Sequence, residues 1–140
     1  MRSYQGRARS DHLDPGVYTL RAWSADVPHT TREVVVRGGE TAHLRIDLPS
    51  CVRRTIVFVK PEDQPEAEIV ITWYDSDGNV LSDDTSTRIA NGLPAGWPLA
   101  FTPGTYRVVA IDRERGLRGE QSFRIGPDDP PEGRVEVVLR

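Results

Sequence analysis

A single cysteine, Cys51, a single lysine, Lys60, and no apolar run near the length of a membrane span set the first limits on this 140-residue chain. One thiol allows no internal disulfide, so a packed core has to hold the fold. A spanning helix needs about 20 consecutive apolar residues, and none is present. The charged stretch Met1 to Arg9 is followed by no apolar run, so neither an export signal nor a membrane span is expected. A block of one charge sign is also missing. The 21 acidic and 18 basic residues are dispersed and sum to a net charge of -3, which leaves no stripe to track a phosphate backbone and argues against nucleic acid as a partner. The basic residues are otherwise all Arg, as the codon bias of a GC-rich bacterial genome would produce. The i, i+3, i+4 apolar spacing of an amphipathic helix is absent beyond single turns.

What is present is alternation. Apolar residues recur with period two, which predicts an all-β fold. Strands are expected at 55–60, 68–74, 79–81, 85–89, 105–112, 121–125 and 134–139, seven short elements separated by turn signals, the pattern of an antiparallel Greek-key sandwich. The inward set is expected to be Phe58, Ile69, Ile71, Trp73, Tyr106, Val108, Phe123, Ile125, Val135 and Val137. The run Ile56-Val57-Phe58-Val59 is apolar on both faces and predicts a strand covered on both sides. Asp77-Gly78 suits a tight primed hairpin turn, and residues 128–133 form a rigid polar connector before the last strand.

An internal repeat organises the chain. Leu13-Asp-Pro-Gly-Val-Tyr-Thr-Leu-Arg-Ala22 aligns without gaps on Phe101-Thr-Pro-Gly-Thr-Tyr-Arg-Val-Val-Ala110, an offset of 88 residues. Val34 and Val36 then match Phe123 and Ile125, and Leu44, Ile46 and Leu48 match Val135, Val137 and Leu139. Residues 1–50 therefore read as a partial sandwich repeat holding only the last three strands, and 51–140 as the complete unit. In both copies Pro followed by Gly predicts a type II turn that launches a strand. Three strands with an apolar face must cover it, so self-association through this half repeat, or docking on neighbouring domains, is expected.

The Pro-Gly-x-Tyr turn, the alternating strand after it and the closing Arg134-Val-Glu-Val-Val-Leu139 resemble the carboxypeptidase regulatory-like modules, which belong to the prealbumin- or transthyretin-like, Ig-like β-sandwiches. Trp73-Tyr-Asp-Ser-Asp-Gly-Asn-Val80 occupies the place of the hairpin that commonly precedes that turn in such modules. The resemblance implies a non-catalytic structural or interaction module, often in tandem, in a larger bacterial envelope or secreted protein. It implies no cofactor. Hydroxyisourate hydrolases of the same broad fold end in Tyr-Arg-Gly-Ser, which the closing Val137-Val-Leu-Arg140 does not match.

Side chains with chemical potential are few, and no catalytic residue is assigned. His12, His29 and His43 show no spacing that supplies a zinc site or a nucleophile's partner. Asp75, Asp77 and Asn79 supply oxygens on one turn and are the candidate metal ligands, although Gly78 falls two positions early for an EF-hand loop. Cross-linking of Lys60 to a last-strand Asn, as in related pilin modules, fails because 134–139 contains no Asn. Trp97, in what reads as a long irregular loop from 82 to 100, and Trp23, out of phase with Tyr18, Leu20 and Ala22, are the candidates for stacking on a glycan. A carbohydrate-binding module using that loop is the alternative to the structural reading, with an enzyme third.

Overall fold

Period-two alternation gives an all-β molecule. The computed structural model describes residues 2–4, 7–9, 13–61, 67–89 and 95–140. These form the strands β1 (Arg2–Tyr4), β2 (Arg7–Arg9), β3 (Gly16–Ala22), β4 (Thr30–Val36), β5 (Val52–Val59), β6 (Ala67–Tyr74), β7 (Val80–Ile89), β8 (Ala95–Phe101), β9 (Gly104–Asp112), β10 (Leu117–Ile125) and β11 (Glu132–Val138). No helix of the described residues is long and apolar enough to cross a membrane. The chain divides into two compact units. One runs through Ala22 and resumes over Thr30–Asp47, whereas Trp23–His29 and Leu48–Arg140 make up the other. A boundary at residue 50 therefore misses that the β3–β4 loop is built into the second unit.

The second unit has two sheets, ordered β10-β9-β6-β7 and β11-β5-β8. All pairings are antiparallel except β5 with β11, which run parallel from Arg53↔Glu132 to Val59↔Val138. Each strand turns alternate side chains inward, and the two inner faces share one core: Ile56 and Phe58, Leu99 and Phe101, Val135, Val137 and Leu139 from one sheet, and Ile69, Ile71, Trp73, Val108, Ala110 and Ile125 from the other. This is a β-sandwich-like arrangement. Of the expected inward set, Tyr106 and Phe123 are half-buried against this cluster and the rest are buried. Val57 is buried as well as its neighbours, as a run apolar on both faces requires.

Two charged side chains are buried within it. Arg54 continues the inward row of Ile56 and Phe58, where its guanidinium donates to the carbonyls of Arg53 (2.9 Å) and Pro130 (3.0 Å). Asp129, 3.8 Å from that guanidinium, accepts the Gly126 N–H at 2.8 Å, so the 126–131 connector is pinned at both ends. Asp112 accepts the N–H groups of Glu114 and Arg115 and shapes the β9–β10 turn. Along one side β10 meets the chain beyond β11. Arg118 and Arg140 exchange N–H···O bonds at 3.1 Å, and a Cβ added at Gly119 would lie 2.7 Å from the Val138 carbonyl oxygen. On the opposite face of the β9–β10 ladder, hydrogen bonds from Arg107 and then Arg118 hold the Glu120 carboxyl below its ordinary range, and Arg107 lies 4.1 Å above the Tyr74 ring.

Trp73 is wholly buried, and its indole N–H has no hydrogen-bond partner among the described residues. An unpaired buried donor costs about 1–3 kcal/mol. Trp73→Phe deletes that donor while opening a small void, and the two terms oppose each other. The expected change in unfolding free energy is within about 1 kcal/mol, well below an ordinary large-to-small core change. Urea denaturation checks this, and a loss above about 2 kcal/mol would show that the N–H is paired in solution.

In the first unit β1 pairs with β2 and β3 with β4, both antiparallel. The β3–β4 and β9–β10 hairpins pair in matching register. Gly16 pairs with Val36 and Tyr18 with Val34, as Gly104 pairs with Ile125 and Tyr106 with Phe123. Tyr18 O–H donates to the Asp14 carbonyl at 2.5 Å, and Tyr106 O–H to the Thr102 carbonyl at 2.8 Å, each reaching back four residues past the Pro-Gly pair. Such a corner fixes the entry of a strand. The expected type II turn is not formed: Gly104 has φ 156° where such a turn needs about +80°. Each glycine is already the first residue of a ladder and is extended, with the Tyr ring lying over it. Tyr106→Phe, which leaves the Thr102 carbonyl unpaired, is expected to cost about 1 kcal/mol by chemical denaturation, and Tyr18→Phe, in an exposed bond, less than half of that.

Three further expectations are corrected. Leu44, Ile46 and Leu48 alternate but form no strand, and His43 lies exposed in the same irregular stretch. Their counterpart β11 is held by pairing with β5, and the described part of the first unit offers no equivalent of β5. The presumed loop from 82 to 100 is largely strand, since 79–81 and 85–89 merge into β7 and β8 follows; Asn91 to Pro94 lie outside the described residues. The Asp77-Gly78 turn is not a two-residue one. Tyr74 pairs with Val80 across a five-residue loop in which Gly78 has φ 81°.

Candidate functional site

The strand ends that converge around the start of β9 enclose a cavity of about 180 Å³, lined by Trp23, His29, Asp75, Leu81, Ala100, Phe101, Thr102 and Tyr106. Three separate stretches supply these residues. Thr102 and Tyr106 come from the Pro-Gly-x-Tyr corner, whose geometry the hydrogen bond between them sets. Phe101 ends β8, Asp75 opens the β6–β7 loop, and Leu81 follows that loop. Trp23 and His29 come from the β3–β4 loop, held in place by backbone and side-chain bonds: Ala100 N–H donates to the Ser24 carbonyl at 2.8 Å, and Trp23 Nε1–H donates to the Ala100 carbonyl at 2.8 Å.

The rings interlock edge to face. Trp23 lies 5.4 Å from His29, 5.1 Å from Trp73 and 5.5 Å from Phe101, and Phe101 lies 5.0 Å from Tyr106. The polar edges are already committed. His29 Nε2 faces the Leu81 carbonyl at 3.1 Å, and because a carbonyl only accepts, that nitrogen carries a proton. Tyr106 O–H is spent on Thr102 O, so the 3.1 Å contact between Thr102 Oγ1 and the Tyr106 oxygen is donated by the threonine. Asp75 Oδ1 accepts the N–H groups of Asp77 and Asn79, both at 2.9 Å, and Oδ2 has no partner among the described residues. The cavity therefore presents ring surfaces, acceptors and one carboxylate.

The residues singled out in the sequence are dispersed. Trp97 is not on a loop: it sits on β8 opposite Ile56, half-buried against the core, and does not line the cavity. Trp23 does line it, half-buried and not exposed. Asp77 and Asn79 turn backbone N–H groups toward Asp75 and contribute nothing to the cavity lining. Among the described residues no group of three or more His, Cys, Asp or Glu side chains is placed to hold a metal ion. A second cavity, beside Cys51, is lined in part by Arg53, which donates to the Ala25 carbonyl at 3.1 Å and pairs with Asp26 and with Glu132 at 3.4 Å. His29, Phe101 and Leu81 were missed as site residues. The Pro-Gly-x-Tyr corner marks Thr102 and Tyr106 in the sequence, whereas nothing local marks His29, which meets Leu81 across 52 residues.

No protein-family model matches the chain, and no curated protein matches it.

Proposed function

We propose that the chain is a non-catalytic structural and interaction module, a partial and a complete copy of a tandem β-sandwich of the carboxypeptidase regulatory-like, prealbumin-like kind, working inside a larger bacterial envelope or secreted protein. One observation carries this reading. The backbone passes between the two units after Ala22, after His29 and after Asp47, so three covalent connections join them where independent domains have one linker. A module that spaces or stabilises its neighbours gains from that construction.

Strand order supports the prealbumin branch of the resemblance over the immunoglobulin branch. In an immunoglobulin constant domain the first strand pairs with the second, and here the unit's first strand, β5, pairs with β8 and in parallel with β11. The matched Tyr corners support the tandem. The cavity's ring N–H and O–H groups are committed to backbone carbonyls, which suits a docking surface better than proton transfer. Neighbouring domains, or a second copy meeting the first unit, are the partners this reading implies.

The test is guanidinium unfolding of the full chain, followed by indole fluorescence and far-ultraviolet circular dichroism. Coincident transitions are expected, because the loop that closes the first unit's hairpin has to leave the second unit's core for either to unfold. Two well-separated transitions, or glycan binding abolished by Trp97→Ala, would overturn the reading.

A further inference from the structure

The cavity lined by Trp23, His29, Asp75 and Tyr106 has a charge character that the spacer reading does not use. Three of the four groups that could donate a hydrogen bond into it, Trp23 Nε1–H, His29 Nε2–H and Tyr106 O–H, donate to the carbonyls of Ala100, Leu81 and Thr102, and the Thr102 hydroxyl donates to the Tyr106 oxygen. What remains is the Thr102 oxygen, the Asp75 carboxylate and the half-buried rings of Trp23 and Tyr106. Hydroxyl-rich ligands need donors as well as acceptors and find no uncommitted donor on Trp23, Tyr106 or Thr102. Anions meet a carboxylate. A cation with an apolar surface meets complementary charge and aromatic rings, whose quadrupoles attract cations.

Size narrows the class. Sites for drug-sized molecules enclose about 300–1,000 Å³, and this one, at about 180 Å³, takes a group of a few heavy atoms. We propose that the cavity is a binding site for a small alkylammonium head group, with Asp75 as the counter-charge and Trp23 and Tyr106 as the aromatic wall. Nothing in this assignment depends on the spacer reading, and either can fail alone.

Choline is the probe, titrated into the full-length protein while the indole N–H and aromatic resonances are followed by NMR. Saturable shifts at Trp23 and Tyr106 are expected, with a dissociation constant on the order of millimolar, the range open to a head group of this size. Two controls use the unaltered protein. The uncharged isostere 3,3-dimethylbutan-1-ol should bind at least ~10-fold more weakly if charge recognition is at work, since a tenfold ratio is about 1.4 kcal/mol. Glucose should give no shifts. In Asp75→Asn the Oδ1 acceptor that holds the Asp77 and Asn79 amides is retained, so the turn is kept and choline affinity alone should fall several-fold. Absence of choline shifts, equal binding of the alcohol, or sugar binding in place of choline would each overturn the proposal.

Discussion

Trp23→Ala is expected to lower the unfolding free energy by about 3–4 kcal/mol, close to the cost of deleting an aromatic side chain from a domain core. The indole reaches the core on a loop whose flanking strands lie in the first unit, yet it is a hub of the second. It packs edge-on against Trp73 and Phe101 at 5.1 and 5.5 Å and gives its N–H to the Ala100 carbonyl. Truncation leaves a void beside Trp73 and an acceptor without its donor, and both terms have the same sign. A domain of this size has about 5–15 kcal/mol in total, so the variant should show a much reduced urea midpoint with an unchanged dependence on denaturant. Trp97→Ala, on an edge strand and half-buried, should cost clearly less. Equal losses at the two positions would mean that the β3–β4 loop is not part of the core in solution.

Gly119→Ala is the second large effect, about 2–3 kcal/mol, and its direction runs against intrinsic propensity, because alanine ordinarily suits a strand better than glycine. The added methyl would sit 2.7 Å from the Val138 carbonyl oxygen and 3.0 Å from the Val137 side chain. Backbone cannot swing away as a flexible side chain can, so β10 and β11 must separate, and the paired Arg118–Arg140 bonds at 3.1 Å are lost with them. Hydrogen exchange at the Arg118 and Arg140 amides reads this directly: both should lose protection in the variant while the β6–β9 ladder keeps its own. A fully stable Gly119→Ala protein would show that the two strands have room to spare.

Much of the second unit was legible because its strands are half-buried and alternate. Ile69, Ile71 and Trp73 announce one face, and Val135 and Val137 another, and all five are buried. Strand β8 was not legible. Gly96 and Pro98 look like breakers, but Pro98 lies on an edge strand, where a residue without an N–H is tolerated. Losing β8 also hid Leu99 and Phe101 from the core and placed Trp97 on a loop that is largely strand. The opposite error occurred at Leu44, Ile46 and Leu48, where alternation is present without a ladder, because side-chain pattern cannot report whether a backbone partner exists. Of the candidate site, the Thr102 to Tyr106 corner and Asp75 carried local signals. Trp23 drew notice for being out of phase, and its partners at Ala100 and Phe101 are set only by the tertiary fold.

The distance between Trp23 and its acceptor has a consequence for synthesis. The bond from its indole to Ala100 spans 77 residues. A ribosome adds about 5–20 residues per second, so the loop carries a bare tryptophan for roughly 4–15 s before the strand that receives it exists. During that interval the β3–β4 hairpin can pair locally, but Val17 and Val35, opposite each other in register and 65% and 52% exposed even in the finished protein, already lie on its surface. The nascent chain is thus at its stickiest before β8 is made, and slowing translation near Phe101 should increase the yield of aggregated protein more than slowing it near Arg140.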